Sequence, residues 1–244
     1  MAVLTAPASP PSYRALWVDV GRGGAIAAMV VYHFAFDLSF LGFVDWGVST
    51  HPAWRAFAAA IASTFLFFVG VSLVYAHEAG IKWRRFWKRW AIIAGCAAAV
   101  TIATAIAMPI PIYFGILHAI ATFSLMGLVF LSVPPLITIA AALFVFAAPL
   151  FLTAQIFSAS VFFPLGLAPE APLSFDYEPV FPWFGATLLG ISAAKLLPRG
   201  ETQMPQGSLT ILVWAGRHSL IIYLVHQPIL FAVLLAIGSF INPV

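Results

Sequence analysis

Charged residues and cysteine are scarce in this chain of 244 residues. Asp, Glu, Lys and Arg make up 8% of the sequence and apolar side chains 63%, whereas a soluble domain carries about 25% charged and about 45–50% apolar residues. This composition excludes a water-soluble globule. Together with a mean hydropathy of +1.03, it favours an integral membrane protein.

The single cysteine, Cys96, lies in an apolar run, which excludes a disulfide framework and a cysteine metal cluster. The spacing of histidines and carboxylates has no zinc signature, so we predict no metal. A net charge of +3, placed unevenly along the chain, excludes a nucleic-acid surface as well. The expected surroundings are therefore the lipid bilayer.

Seven apolar segments are long enough to cross the hydrocarbon core, which takes about 20 residues. They predict an all-helical membrane bundle of about seven helices, at residues 18–40, 55–76, 90–109, 112–131, 134–154, 178–197 and 216–240. Residues 1–17 are expected to form a short cytoplasmic tail, and residues 18–244 a single transmembrane domain.

The basic residues indicate how the bundle is oriented. Five of the eleven lie in one loop, at Lys82, Arg84, Arg85, Lys88 and Arg89, and the positive-inside rule places such a loop in the cytoplasm. Alternation of the seven spans then puts ten of the eleven basic residues on the cytoplasmic side, with Arg55 as the exception. We therefore expect a cytoplasmic N-terminus and an external C-terminus.

Four ionisable residues of the first span share one stripe, because a helix turns about 100° per residue. They are Asp19, Arg22, His33 and Asp37. Charged side chains are costly in lipid, so this stripe is expected to face protein or a water-filled cavity. A pairing of Asp19 with Arg22 and a merely structural His33 is the simpler alternative. The functional interpretation makes the stripe a path from a cationic inner end to an imidazole near the outer surface.

Other candidate residues lie in later spans and in an outer loop. His118 is expected at the depth of His33, where two imidazoles could move protons near neutral pH. His226, beside Gln227 and Pro228, indicates either a ligand cavity or a packing kink in the last span. His51 in the first outer loop is, by spacing alone, more typical of a solvated side chain.

Four sequence blocks, in this order along the chain, resemble those of heparan-α-glucosaminide N-acetyltransferase-like membrane proteins. They are RALWVDVGRGGAIAAMVVYHFAFDL, FGILHAIATFSLMGL, DYEPVFPWFGATLLG and GRHSLIIYLVHQP, which together span residues 14–228. The HPAW element, with His51 and Trp54, is similar to the family's His-x-x-Trp element that carries the active-site histidine. The chain departs from the family in its first helix, where His33 stands in place of an asparagine.

The resemblance implies transfer of acetyl from cytosolic acetyl-CoA to an amino sugar or glycan hydroxyl across a bacterial inner membrane, with the chemistry at the outer face. It implies a catalytic role for His51. Joined to the first-span stripe and the expected depth of the intramembrane histidines, it makes His33 and His118 catalytic candidates as well. Arg22, Arg217, His218 and His226 would bind the donor, and Asp37 or Asp176 would orient the base. Direct transfer and an acetyl-histidine intermediate are both compatible with these residues.

Two other functions remain open at this stage. The intramembrane His and Asp residues also suit a proton-coupled transporter, although no inverted repeat is evident. A non-catalytic membrane protein of the same fold is the second alternative. Small residues in the first span, Gly24, Ala27 and Ala28, would permit close helix approach in a homodimer or within the monomer.

Overall fold

The computed structural model describes residues 16–197 and 209–241. Most of the predicted tail, residues 1–15, lies outside them, as do Arg14 and Arg199 from the charge argument. Within the described residues the chain is all-helical, which confirms the predicted fold class.

Four helices are long and apolar enough to span a bilayer. They are α1 (Leu16–Phe40), α2 (Pro52–His77), α3 (Trp83–Ala107) and α9 (Ser219–Ile241). Three shorter apolar helices occupy the other expected positions: α4 (Ile116–Val129), α5 (Pro135–Ala147) and α7 (Val180–Leu196). A single turn, α6 (Pro149–Leu152), two 3-10 turns (Gln155–Ser158 and Ser160–Leu165) and α8 (Leu209–Arg217) complete the fold.

Proline and glycine set the helix boundaries. Pro52 and Pro135 each stand in the first turn of a helix, where the missing N–H costs nothing. Gly80, at a φ of +90°, makes the turn between α2 and α3. Pro228, in contrast, lies inside α9, which continues through it.

The core is built around α7, which packs against α2, α4 and α5. Phe123, Leu66, Leu188 and Ile191 are its largest fully buried side chains. The Thr187 hydroxyl donates to the Leu66 carbonyl at 3.1 Å and thereby satisfies a polar group at the α2–α7 contact.

Contacts between connections show which helix ends lie together. The Lys195 ammonium, at the end of α7, donates to the carbonyls of Phe130 and Val133 at 2.7 and 2.6 Å. At the other end, Glu178 N–H donates to the Phe114 carbonyl at 2.8 Å. We call the end that holds Lys195 and the α2–α3 turn the basic end. The expected alternation of span ends is thus observed for these connections.

Helix α8 differs from the sequence prediction, which treated residues 198–215 as an inner loop. A Cβ on Gly23 would lie 2.0 Å from the Leu212 carbonyl oxygen, and one on Gly216 would lie 1.9 Å from that of Asp19. These two close approaches make α8 antiparallel to α1. The contacts of His33 with His226 and of Phe40 with Phe231 make α9 parallel to it, so the chain reverses near His218.

Candidate active site

Both carboxylates of the stripe predicted on α1 are buried in the interior of the bundle. Asp19 is 1% exposed and Asp37 is 0% exposed. They lie five turns of helix apart, and each one meets a polar side chain from the α8–α9 segment. The site is therefore an interface between α1 and the last two helices, with α2, α3 and α4 closing its sides.

At the basic end, the Arg217 Nε–H donates to Asp19 Oδ2 at 2.9 Å. The close approach at Gly216 brings the end of α8 against α1 and so allows this pair to form. Arg217 remains 38% exposed while Asp19 is buried. The ion pair therefore fixes one face of Arg217 and leaves the guanidinium at the mouth of a cavity.

The cavity beside this pair has a volume of about 850 Å³, within the range of a small-molecule site. Its mouth lies at the turn between α2 and α3, and we call it the basic cavity. Its lining includes six cationic side chains: Arg22, Lys82, Arg85, Lys88, Arg89 and Arg217. Two carboxylates, Asp19 and Glu78, also belong to the lining. The excess of positive charge suits a ligand that carries phosphates.

Deeper in, the wall of the basic cavity becomes apolar. Phe65, Val69, Leu117 and Ile120 line this part, together with the phenol of Tyr223. A cationic mouth followed by an apolar channel matches a ligand with an anionic head and an extended, uncharged arm.

Tyr223 connects the basic cavity to the opposite end of the bundle. Its hydroxyl donates to Asp176 Oδ2 at 3.3 Å, and the same oxygen accepts the Ile116 N–H at 2.9 Å. Gly115 leaves room for this carboxylate, since a Cβ there would lie 2.1 Å from Asp176 Oδ2. Asp176, predicted to orient a base, thus holds a phenol and the first turn of α4.

Two carboxylates come close together in the connection that precedes α7. Burial raises the pKa of Asp176, against the opposing effect of the hydrogen bonds from Ile116 and Tyr223. Burial and the nearby Asp176 raise the pKa of Glu178 well above its ordinary value. Its Oε2 is buried without a hydrogen-bond partner among the described residues, which favours the protonated acid.

His226, one turn beyond Tyr223 on α9, faces His33 of α1. The two ring centroids lie 4.9 Å apart. His226 Nδ1 lies 2.7 Å from the Tyr223 carbonyl and 3.2 Å from that of Ile222. A carbonyl accepts only, so Nδ1 carries the proton and Nε2 presents a lone pair. That Nε2 and His33 Nδ1 are both buried without a hydrogen-bond partner in the described part of the chain.

One turn further along α1, Asp37 meets Gln227. The Gln227 Nε2–H donates to Asp37 Oδ1 at 2.6 Å. This bond directs the amide oxygen of Gln227 away from the carboxylate. The other two oxygens of the pair, Asp37 Oδ2 and Gln227 Oε1, are buried and have no hydrogen-bond partner within residues 16–197 and 209–241.

His118 lies in a different environment from the one expected for a partner of His33. Its Nε2 is 3.2 Å from Thr101 Oγ1, and that hydroxyl donates to the Ile112 carbonyl at 2.7 Å. The hydroxyl proton is thus already used, so His118 Nε2 is the donor in their contact. The imidazole that contacts His33 is that of His226, whereas the sequence argument considered His118 for this position.

His51 lies outside this cluster. It is exposed and caps α2, with Nδ1 accepting the Ala53 N–H at 3.2 Å. An aromatic contact path leads from its neighbourhood to His33, because Trp54 lies 6.2 Å from Tyr32, and Tyr32 lies 5.5 Å from His33, between ring centroids. His51 is thus at the same end of the bundle as His33.

The four residues expected to bind the donor separate into two groups. Arg22 and Arg217 line the basic cavity. His218 is exposed and directs Nδ1 to the Trp214 carbonyl at 2.9 Å, and His226 lies with His33 beyond the Tyr223 wall. Across the described residues, no three His, Cys, Asp or Glu side chains are grouped so as to hold a metal ion.

Sequence reasoning missed Tyr223, Gln227 and Thr101. A signal existed for Tyr223, which lies three residues before His226 and therefore on the same helix face. Gln227 was noted only as a polar neighbour of Pro228. Thr101 gave no signal, since a threonine within an apolar helix is common.

These features define a membrane-embedded helical protein with a cationic cavity at one end and a buried imidazole pair beyond its deep wall. Residues 14–228 match the catalytic region of the heparan-alpha-glucosaminide N-acetyltransferase family, and the chain belongs to that family. No curated protein and no solved structure matches the chain.

Proposed function

We propose that this protein is a transmembrane acetyltransferase that takes acetyl from acetyl-CoA at the basic end and delivers it to a sugar or glycan at the opposite end. The observation that carries the proposal is the continuity of the site. Tyr223 lines the basic cavity, its ring lies 5.9 Å from that of His226, and His226 contacts His33.

The donor would place its phosphates among the six cations of the mouth. Arginine suits this role because its planar guanidinium binds phosphate through two hydrogen bonds. The uncharged arm would follow the apolar wall of the basic cavity towards Tyr223. This arrangement keeps the charged part of the donor out of the hydrocarbon core, where burial of a charge is costly.

The reaction needs a base that is neutral when the acceptor attacks. His33 supplies a buried imidazole nitrogen with no hydrogen-bond partner in the described residues. The acceptor oxygen or nitrogen attacks the carbonyl carbon of the thioester, and the C–S bond breaks. His33 takes the proton of the acceptor and returns it to the sulfur, so the products are the acetylated acceptor and free coenzyme A.

The first test is release of coenzyme A thiol from acetyl-CoA by the purified protein in detergent, with and without glucosamine or glucose. Acceptor-dependent release that is lost in His33→Gln supports the proposal. Wild-type protein that releases no thiol with either acceptor, and gains no thermal stability from acetyl-CoA, would overturn it.

A further inference from the structure

Four polar side chains gather where α1 and α9 meet, beyond the end of the basic cavity. They are His33, Asp37, His226 and Gln227, joined in pairs by the ring contact of the histidines and the amide–carboxylate hydrogen bond. Asp37 is 0% exposed and His226 is 8% exposed. Such a buried polar cluster normally satisfies its own hydrogen bonds.

This cluster does not satisfy them. Among the described residues, His33 Nδ1, Asp37 Oδ2, His226 Nε2 and Gln227 Oε1 are all buried without a partner. Three of the four atoms can only accept. The amide oxygen is an acceptor by nature, and the carboxylate oxygen is one when Asp37 is ionised, the form that the Gln227 hydrogen bond favours. His226 Nε2 is an acceptor in the neutral ring because Nδ1 holds the proton. The cluster therefore lacks donors.

The spacing of these atoms indicates what would supply the donors. His33 and Asp37 are four residues apart on α1, about 6 Å along the helix axis. A single ammonium group would contact atoms at one point, whereas the hydroxyls around a sugar ring are spread over a comparable distance. Each hydroxyl donates one hydrogen bond and matches one acceptor.

The flanking side chains support the same class of ligand. Tyr32 lies beside His33 and contacts Trp54 in turn, and both aromatic side chains are half-buried. Phe36 and Phe40, which flank Asp37 along α1, stack at 5.8 Å between ring centroids. Aromatic faces next to a few polar groups are typical of small-molecule sites and suit the C–H faces of a sugar ring.

We propose that His33, Asp37, His226 and Gln227 form the acceptor subsite and hold a sugar through its hydroxyl groups, so that acetyl passes to an oxygen. This inference rests on the proposed acetyltransferase function and narrows its acceptor to a hydroxyl. Asp37 and Gln227 bind hydroxyls that do not react. The reacting hydroxyl lies against the imidazole pair, gives its proton to His33 and bonds through its oxygen to the acetyl carbon. The C–S bond breaks, and the thioester sulfur leaves and receives that proton.

The test measures sugar binding separately from turnover. Binding of glucose, glucosamine and ethylamine to the full-length protein in detergent is followed by isothermal titration calorimetry, without acetyl-CoA. Glucose and glucosamine should bind with similar affinity, and ethylamine should not compete. Gln227→Met should weaken glucose binding about tenfold, the loss expected for one hydrogen bond that leaves a donor unpaired.

Two matched variants guard against a general loss of fold. Gln155→Met makes the same change at an exposed glutamine, and Asp45→Asn at an exposed aspartate. Asp37→Asn should weaken glucose binding only several-fold, since an amide oxygen still accepts from a hydroxyl. If Asp37→Asn weakens the binding of glucosamine and ethylamine but leaves glucose binding unchanged, the cluster binds an ammonium group and the proposal is overturned.

Transfer is then measured with glucose and acetyl-CoA, and the product is examined for an acetyl ester. An ester formed by wild type and reduced in Gln227→Met supports the subsite. If glucosamine is acetylated only at nitrogen, and Gln227→Met does not change the rate of transfer, the proposed subsite is wrong but the acetyltransferase function stands. If glucose binding depends on Gln227 but no coenzyme A is released, the four residues bind a sugar and the acetyltransferase function is wrong.

Discussion

Arg217 and Asp19 are 198 positions apart in sequence, yet the Arg217 Nε–H donates to Asp19 Oδ2 at 2.9 Å. The contact joins the first helix to the end of α8 and places a guanidinium at the mouth of the basic cavity. The contact gives Arg217 a structural role, and the proposed donor site would give it a ligand-binding role as well. Both roles can be measured with the same substitution.

Arg217→Ala should lower the free energy of unfolding by about 1–3 kcal/mol. The value lies below that of breaking a fully buried pair, because Arg217 is 38% exposed. Thermal unfolding in detergent measures the change, with Arg84→Ala as the control because Arg84 is exposed at the same end. Equal melting temperatures for both variants would contradict a stabilising pair.

The paired glycines at the start of α1 offer a sharper test of the α1–α8 contact. Gly23→Ala should destabilise the protein by about 1–3 kcal/mol, because its Cβ would lie 2.0 Å from the Leu212 carbonyl oxygen. The adjacent Gly24 has no atom within 4 Å of a Cβ. Gly24→Ala should therefore be neutral or raise the melting temperature slightly, since alanine is the better helix former. Similar losses in both variants would argue against close packing of α8.

The helical bundle could be predicted from the sequence because apolar length and proline positions determine it locally. The α1 stripe was also predictable, since the burial of Asp19 and Asp37 follows from helix periodicity and the cost of charge in lipid. Their partners were not. Arg217 and Gln227 come from the other end of the chain, and periodicity within one helix carries no information about which helix lies opposite.

Helix α8 was missed for a different reason. Its nine residues, Leu209–Arg217, are too few to register as a span, and a short apolar segment next to a basic residue resembles a loop at the membrane surface. Only the close backbone approach at Gly23 and Gly216 reveals that it packs along α1. The partner of His33 could not be predicted for a similar reason, because equal depth of His33 and His118 in the membrane does not decide which helices are neighbours.

The charge of the mouth should control donor affinity. The double variant Arg85→Ala with Lys88→Ala should weaken acetyl-CoA binding at least about tenfold, as two hydrogen bonds to charged groups are lost. It should also flatten the salt dependence of binding, because fewer charges remain to be screened. Arg55→Ala, at the opposite end of α2, is the control. If the double variant binds acetyl-CoA with unchanged affinity, the donor does not bind in the basic cavity.

Glu178 should make stability depend on pH. Burial and the nearby Asp176 raise its folded-state pKa above the ordinary value, so folding favours the protonated acid. The associated stability is present below the unfolded-state pKa and is lost as pH rises through the folded-state pKa. Glu178→Gln should therefore lessen the fall in melting temperature with rising pH.

The control for this experiment is Glu170→Gln, at an exposed carboxylate of the same connection. It should leave the pH profile as in wild type. A profile that is identical for all three proteins would contradict a raised folded-state pKa for Glu178.

Sealed proteoliposomes test directly whether acetyl passes from one side of the membrane to the other. Acetyl-CoA labelled in the acetyl group is supplied on one side and the sugar acceptor only on the other. For protein inserted with its basic end towards the donor, the label should appear on the enclosed acceptor, and His33→Gln should abolish it. Label that appears only when donor and acceptor share a side would contradict transmembrane transfer.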